Sequence, residues 1–167
     1  MEQTVISETE DLQELMQKFY SKNGLQRADA REKVIRHGRH AVPALISVLQ
    51  DKSIHVRWEA AKALGQIKDP SCAPALVDRL TDESPEIRWL AAEGLIALRR
   101  DSLQPLLTRL VEDFNSSVYR QGVHHVLHAL EREGRLTQQE LKVLNVLRGI
   151  ETEDEIAPET YKALEAL

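Results

Sequence analysis

Three prolines set the period of this chain: Pro43, Pro74 and Pro105 stand 31 residues apart. Asp51, Asp82 and Asp113 repeat both intervals, Trp58 and Trp89 repeat the first, and Arg57, Arg88 and Arg120 follow at 31 and 32. The flanking text repeats as well, from VPALISVLQDKSIHVRWEAAKAL to APALVDRLTDESPEIRWLAAEGL and, more loosely, to QPLLTRLVEDFNSSVYRQGVHHVL. A chain with such a period makes one supersecondary unit several times, and each unit buries its apolar face against the next copy.

Each copy reads as two helices. The first opens on the proline, whose missing N–H costs nothing in a first helical turn, and continues with apolar residues at helical spacing, such as Ala73, Leu76, Val77 and Leu80. The second spans 54–67 in the first copy, where Val56, Ala60, Ala63, Leu64 and Ile67 form one apolar stripe. Small alanines in that stripe let helix axes approach to about 8–10 Å. Only 4% of the residues are aromatic, so Leu, Ala, Val and Ile must build the core, and seven Gly and six Pro are too few for a turn-rich β-sandwich. The expected fold is all-α, a right-handed α-solenoid of antiparallel helix pairs.

The spacing Pro43–Asp51–Arg57, repeated in Pro74–Asp82–Arg88, resembles the signature of HEAT repeats, and AAKALGQIKDPSCAPAL is similar to the short variety of phycobilin lyases. The resemblance covers about residues 38–132, as three copies over about 38–68, 69–100 and 101–132. It implies that Asp51, Arg57, Asp82, Arg88, Asp113 and Arg120 form a structural ladder of hydrogen bonds between successive copies. A planar guanidinium suits that role because it can bridge two carboxylates or carbonyls. The third copy departs from the pattern. Asp113 and Arg120 are seven residues apart instead of six, which places an extra residue in the turn at Asn115-Ser116-Ser117.

The flanks, 1–37 and 133–167, are expected to cap the stack. Ser7-Glu8-Thr9-Glu10 reads as a capping box opening a helix that ends before Asn23-Gly24, and a second helix, roughly from Arg27 to His37, resembles the divergent second helix of an incomplete first repeat. Thr137-Gln138-Gln139-Glu140 is a further capping box, its helix ended by Gly149. Glu151 to Glu155 forms an acidic loop, and Pro158 begins a last short helix.

Charge narrows the partner classes only slightly. The formal net charge is −5, but residues 25–149 hold 16 acids and 19 bases, so a mildly basic body lies between two acidic ends. Trp58 lies about 200° from Val56 on a helical wheel, nearly opposite the core stripe, and Trp89 repeats it one copy later. The two indoles, with Glu59, Lys62, Leu90, Glu93, Gln121 and His125, outline a candidate partner-binding shelf on the concave layer. An indole that instead lies flat on its neighbouring helix would serve packing alone.

His124 and His128 share a helix face, but two imidazoles leave a zinc site at least one ligand short. HExxH is absent, and so are the repeated His-Glu pairs that the family resemblance implies for iron-dependent helical-repeat hydroxylases; no metal and no cofactor is expected. The basic residues Arg36, His37, Arg39 and His40, and likewise Arg99, Arg100 and Arg109, read as solvated helix ends. Cys72, the only cysteine, excludes an intramolecular disulfide and suits a reducing, cytoplasmic compartment. Its place at a helix start could lower its pKa, but it reads better as a small half-buried residue. The chain starts without a basic, apolar leader and has no apolar run long enough to span a membrane.

No catalytic motif can be drawn. The expected function is a non-catalytic scaffold for another protein, as a monomer or weak oligomer. Rivals are a bilin lyase-like or chaperone-like factor, a helical-repeat DNA-alkylation-repair protein, and a purely structural assembly module. A nucleic-acid ligand is not expected, because Glu59, Glu86 and Glu93 interrupt any basic stripe.

Overall fold

The computed structural model describes residues 11–149 and 155–167. Every regular element in them is helical. After α1 (Leu12–Gln17) come α2 (Gly24–Arg36), α3 (Val42–Val48), α4 (Ile54–Ile67), α5 (Ala73–Arg79) and α6 (Pro85–Leu98). They are followed by α7 (Leu103–Glu112), α8 (Ser117–Arg132), α9 (Gln138–Leu147) and α10 (Ile156–Glu165). Three of the hairpins, α3–α4, α5–α6 and α7–α8, are the three copies of the repeat. Pro43 and Pro74 sit in the first turns of α3 and α5, where the missing N–H is harmless.

Some boundaries differ from the sequence reading. Asn23 does not end a helix; its side chain accepts the backbone N–H of Leu25 and starts α2 at Gly24. Asp11 caps α1 by accepting from the Gln13 N–H. The capping box at Ser7–Glu10 and the acids at Glu151, Glu153 and Asp154 lie outside the described residues. Thr137 and Glu140 do form a reciprocal capping box at α9, and Gly149 takes a left-handed φ of 73° just past its end. Helix α10 begins at Ile156, two residues before Pro158, again because an early proline costs no hydrogen bond.

Helices α2, α4, α6 and α8 stack on one another as an inner layer, while α5 and α7 pack together in the outer one. The last hairpin reverses the order of travel: α9 extends the inner layer against α8, and α10 extends the outer layer against α7. The repeat register shows in the core. Val56, Ile87 and Tyr119 are equivalent and buried, as are Ala60, Ala91 and Val123, and Leu64, Leu95 and Leu127. At the third copy the larger Tyr119 also finds an acceptor, donating its hydroxyl to the Leu106 carbonyl at 2.8 Å; burial pushes its pKa well above the ordinary value.

The two layers are packed unequally. In the inner layer α4 and α6 touch backbone to backbone: a Cβ on Gly65 would lie 3.3 Å from the Gly94 Cα, and one on Gly94 would lie 2.9 Å from Leu76 Cδ1. In the outer layer α5 and α7 leave a groove of about 550 Å³ floored by Pro74, Val77 and Pro105. Gly94→Val should cost about 2 kcal/mol of stability in a denaturation experiment, because overpacking exceeds the roughly 0.4 kcal/mol gained in helix propensity. Equal or greater stability in that variant would show that the glycine pair does not set the spacing.

Candidate functional site

Each inner helix buries its flanks against neighbouring inner helices and its back against the outer layer. One narrow stripe is left open: His55, Trp58, Lys62 and Gln66 on α4, Glu86, Trp89 and Glu93 on α6, and Val118, Gln121 and His125 on α8. Trp89 is 56% exposed and has the largest side chain among the exposed apolar residues. Beside it, Glu93 Oε1 lies 3.3 Å from His125 Nε2 and links the stripes of α6 and α8 across open surface.

Trp58 lies in different surroundings from its counterpart. It is half-buried and packs against the core, with the Arg31 guanidinium carbon 5.5 Å and the Lys62 Nζ 5.0 Å from its ring centroid. Those distances are within cation–π range. The indole is thus occupied by cations, and the shelf of two equivalent open rings is corrected to one open ring and one covered ring.

Two further members of the expected shelf belong inside the protein. Glu59 is only 3% exposed, since it points away from the stripe and into α2. There Arg31 Nη1 donates to its Oε2 at 2.6 Å, and Arg27 Nε is 3.4 Å from Oε1. Leu90 occupies the Glu59 position one copy on and is buried in the core. Both follow the tryptophan by one residue, a turn of about 100° that is enough to carry a side chain from the open stripe to the helix interface. No sequence signal singled out Arg31, because its partner lies on another helix.

The rim that joins outer to inner helices carries the ladder. Arg57 Nη1 donates to the carbonyls of Asp51 (2.9 Å) and Lys52 (3.3 Å), closing its own hairpin. Its Nη2 donates forward to Asp82 Oδ1 and Glu83 Oε1, both at 3.0 Å, in the next copy. Burial opposes the charge on Arg57, but the two carboxylates outweigh it and hold the guanidinium above its ordinary pKa. Asp82 also accepts from Arg79 and from the Ser84 N–H.

Arg88 makes the backward bonds, to the carbonyls of Asp82 (2.8 Å) and Glu83 (3.3 Å). Arg120 does likewise, to Phe114 at 3.1 Å. The forward step to Asp113 is where the expected ladder fails. Asp113 ends α7, which is ten residues long against seven in α3 and α5, and it faces Arg109 of its own helix at 3.5 Å. Helix α7 continues two residues past the position where α3 and α5 stop, and Asp113 pairs with Arg109 of that same helix.

A family model for HEAT repeats matches residues 12–95 and 42–128, overlapping spans that together take in well over half of the chain. The chain belongs to the HEAT-repeat family. No curated protein matches its sequence.

In this HEAT-repeat protein the match starts at Leu12, well before the first obvious copy, and the ladder explains why. Arg27 donates to the Ser21 carbonyl at 2.8 Å, across the same six-residue gap that Arg57, Arg88 and Arg120 span. Tyr20, 31 residues before Asp51, donates its hydroxyl to Asp51 Oδ2 at 2.6 Å and, with the Ser53 N–H, holds that carboxyl below the usual range. The α1–α2 hairpin is therefore a divergent repeat that kept the ladder geometry with altered residues. The intervals of 30 and 31 were the available signal, obscured because a tyrosine stands where the later copies have aspartate.

The remaining candidates take structural places. His124 and His128 stack with their ring centroids 5.9 Å apart, and Arg148 Nη2 donates to His128 Nδ1 at 2.8 Å, so that nitrogen is already engaged as an acceptor. Burial first, then His128 and Arg148, hold the His124 pKa below normal. Among the described residues no three metal-ligating side chains come together. Burial pushes the Cys72 thiol up to about 11, which corrects both the half-buried placement and any activation by the helix start.

Arg100 and Arg109 are not simply solvated helix ends. Arg100 grips the buried Glu140 through both nitrogens, at 3.2 and 3.0 Å, and so fastens α9 to the stack; Arg109 reaches Asp78 across the outer groove at 3.2 Å. Arg36, Arg39 and His40 remain exposed. Among the described residues no helix is long and apolar enough to cross a membrane.

Proposed function

We propose that this HEAT-repeat protein is a non-catalytic scaffold that holds a partner protein against its inner-helix wall, with Trp89 as the central anchor. HEAT repeats generally serve as protein-interaction scaffolds. The observation that carries the reading is the exposure of Trp89 in the middle of a wall where its counterpart Trp58 is partly covered and Val118 on α8 adds a smaller exposed apolar surface. An indole presents about 150–250 Å². Covering its open half contributes roughly 2–3 kcal/mol at about 25 cal/mol per Å², the scale of an interface hot spot. Because the helices are already assembled, little ordering entropy opposes docking.

Glu86, Glu93, Gln121 and His125 then form the polar rim around the ring. Trp89→Ala should leave the melting temperature within a few degrees of wild type, since an exposed side chain supports little packing. It should weaken partner binding by about 2 kcal/mol, roughly thirtyfold. Proteins captured from source-cell extract by wild type, by Trp89→Ala and by the outer-face control Gln104→Ala supply the comparison. If Trp89→Ala folds and retains the same proteins as the control, the wall is not the docking surface.

A further inference from the structure

Between α2 and α4, on the far side of α4 from Trp89, the same wall opens into a cleft of about 370 Å³ lined by Arg27, Arg31, His55, Trp58 and Glu59. Its charges do not balance. Arg27 and Arg31, whose side chains are only 14% and 11% exposed, share the single buried carboxylate of Glu59. Lys62 Nζ stands 5.0 Å from the centroid of the same Trp58 ring and has no carboxylate within salt-bridge distance among the described residues. Two guanidinium groups thus share one buried acid and an ammonium stands over the adjoining indole, while Glu32, which is exposed, bonds Arg31 at 3.2 Å.

We infer that this cleft receives an acidic side chain of a bound peptide segment whose apolar side chain covers Trp89. The inference rests on the scaffold reading above and specifies the partner's chemistry. Trp58 acts as a positioning residue: its ring lies within cation–π range of both Arg31 and Lys62, which restricts the two side chains and lowers the entropy lost when a carboxylate docks against Lys62. A carboxylate also relieves the repulsion among the three cations, as no neutral ligand can.

The neighbouring helix decides between a peptide and a nucleic acid. Beyond Trp58 the wall turns from cationic to apolar at Trp89 and then to acidic at Glu86 and Glu93. A phosphate backbone that entered the cleft would meet those carboxylates one helix later. A peptide with an acid at one end and an apolar residue at the other matches the sequence of surfaces. Neighbouring helix axes lie about 8–10 Å apart, so the cleft between α2 and α4 lies about 12–15 Å from α6, which an extended chain covers in about four residues. The recognised segment therefore has Asp or Glu about four positions from Leu, Phe or Trp.

The test is selection of a random phage-displayed peptide library on the immobilised 167-residue chain, followed by anisotropy titration of resynthesised, fluorescently labelled peptides. Enriched peptides should carry the acid and the apolar residue in that register. Replacing the acid by Lys, or Lys62 by Glu in the protein, should weaken binding about tenfold, whereas Lys62→Arg should preserve it. Added salt should weaken the wild-type complex more than the Lys62→Glu complex. Peptides that need Trp89 but show no acidic position, or that bind Lys62→Glu as well as wild type, overturn the inference and leave the Trp89-centred scaffold standing. A selection without binders overturns both. A single-stranded oligonucleotide that binds more tightly than every selected peptide overturns the acidic-peptide assignment in favour of a nucleic acid.

Discussion

Asp82→Ala should unfold at a much lower urea concentration than wild type, equivalent to a loss of about 3–5 kcal/mol. The carboxylate is buried, with its side chain 3% exposed, and its two oxygens satisfy Arg57, Arg79 and the Ser84 N–H together. Its removal strands the Arg57 guanidinium, whose side chain is 5% exposed, and leaves only the exposed Glu83 as its forward acid. An uncompensated buried charge costs far more than the pair contributes, so the loss exceeds the net worth of the bond. The comparison variant is Asp113→Ala, at the equivalent sequence position. It should lose no more than about 0.5 kcal/mol, because its bond to Arg109 lies at the surface. Equal losses in the two variants would mean that the ladder runs unbroken into the third repeat and that the geometry described for Asp113 is wrong.

Glu59→Ala should be nearly as damaging, at about 3 kcal/mol. It leaves Arg27 and Arg31 facing each other in a half-buried space with no acid between them, and removes the one polar tie between α2 and α4 that both cations share. The cause can be separated from simple loss of packing. Replacing the whole cluster with Arg27→Met, Glu59→Leu and Arg31→Met should recover most of the stability, since apolar side chains of similar volume bring no desolvation penalty. Failure of the triple variant to recover, with Glu59→Ala still damaging, would place the loss in packing instead of charge.

These two variants mark where reading the text reached its limit. The hairpins and their register were legible because each depends on residues that recur at a fixed interval, and the period survives any rotation of the helices about one another. Val56, Ile87 and Tyr119 could be aligned before anything was known of their surroundings. Arg27 and Tyr20 were hidden because they perform the repeated task with unrepeated residues. Glu59 was misassigned because its helix position is ambiguous: it lies between the open stripe and the interface, and only the presence of two arginines on α2 draws it inward.

The amino-acid text alone determined that this is an all-helical solenoid of about 31-residue hairpins, since periodicity and helical spacing are properties of the chain itself. The tertiary structure decided which of two equivalent tryptophans is open, which acids are buried and where the ladder breaks. Those outcomes depend on what the neighbouring helix presents at contact distance, and charge pairing and desolvation act across that gap between residues far apart in the chain.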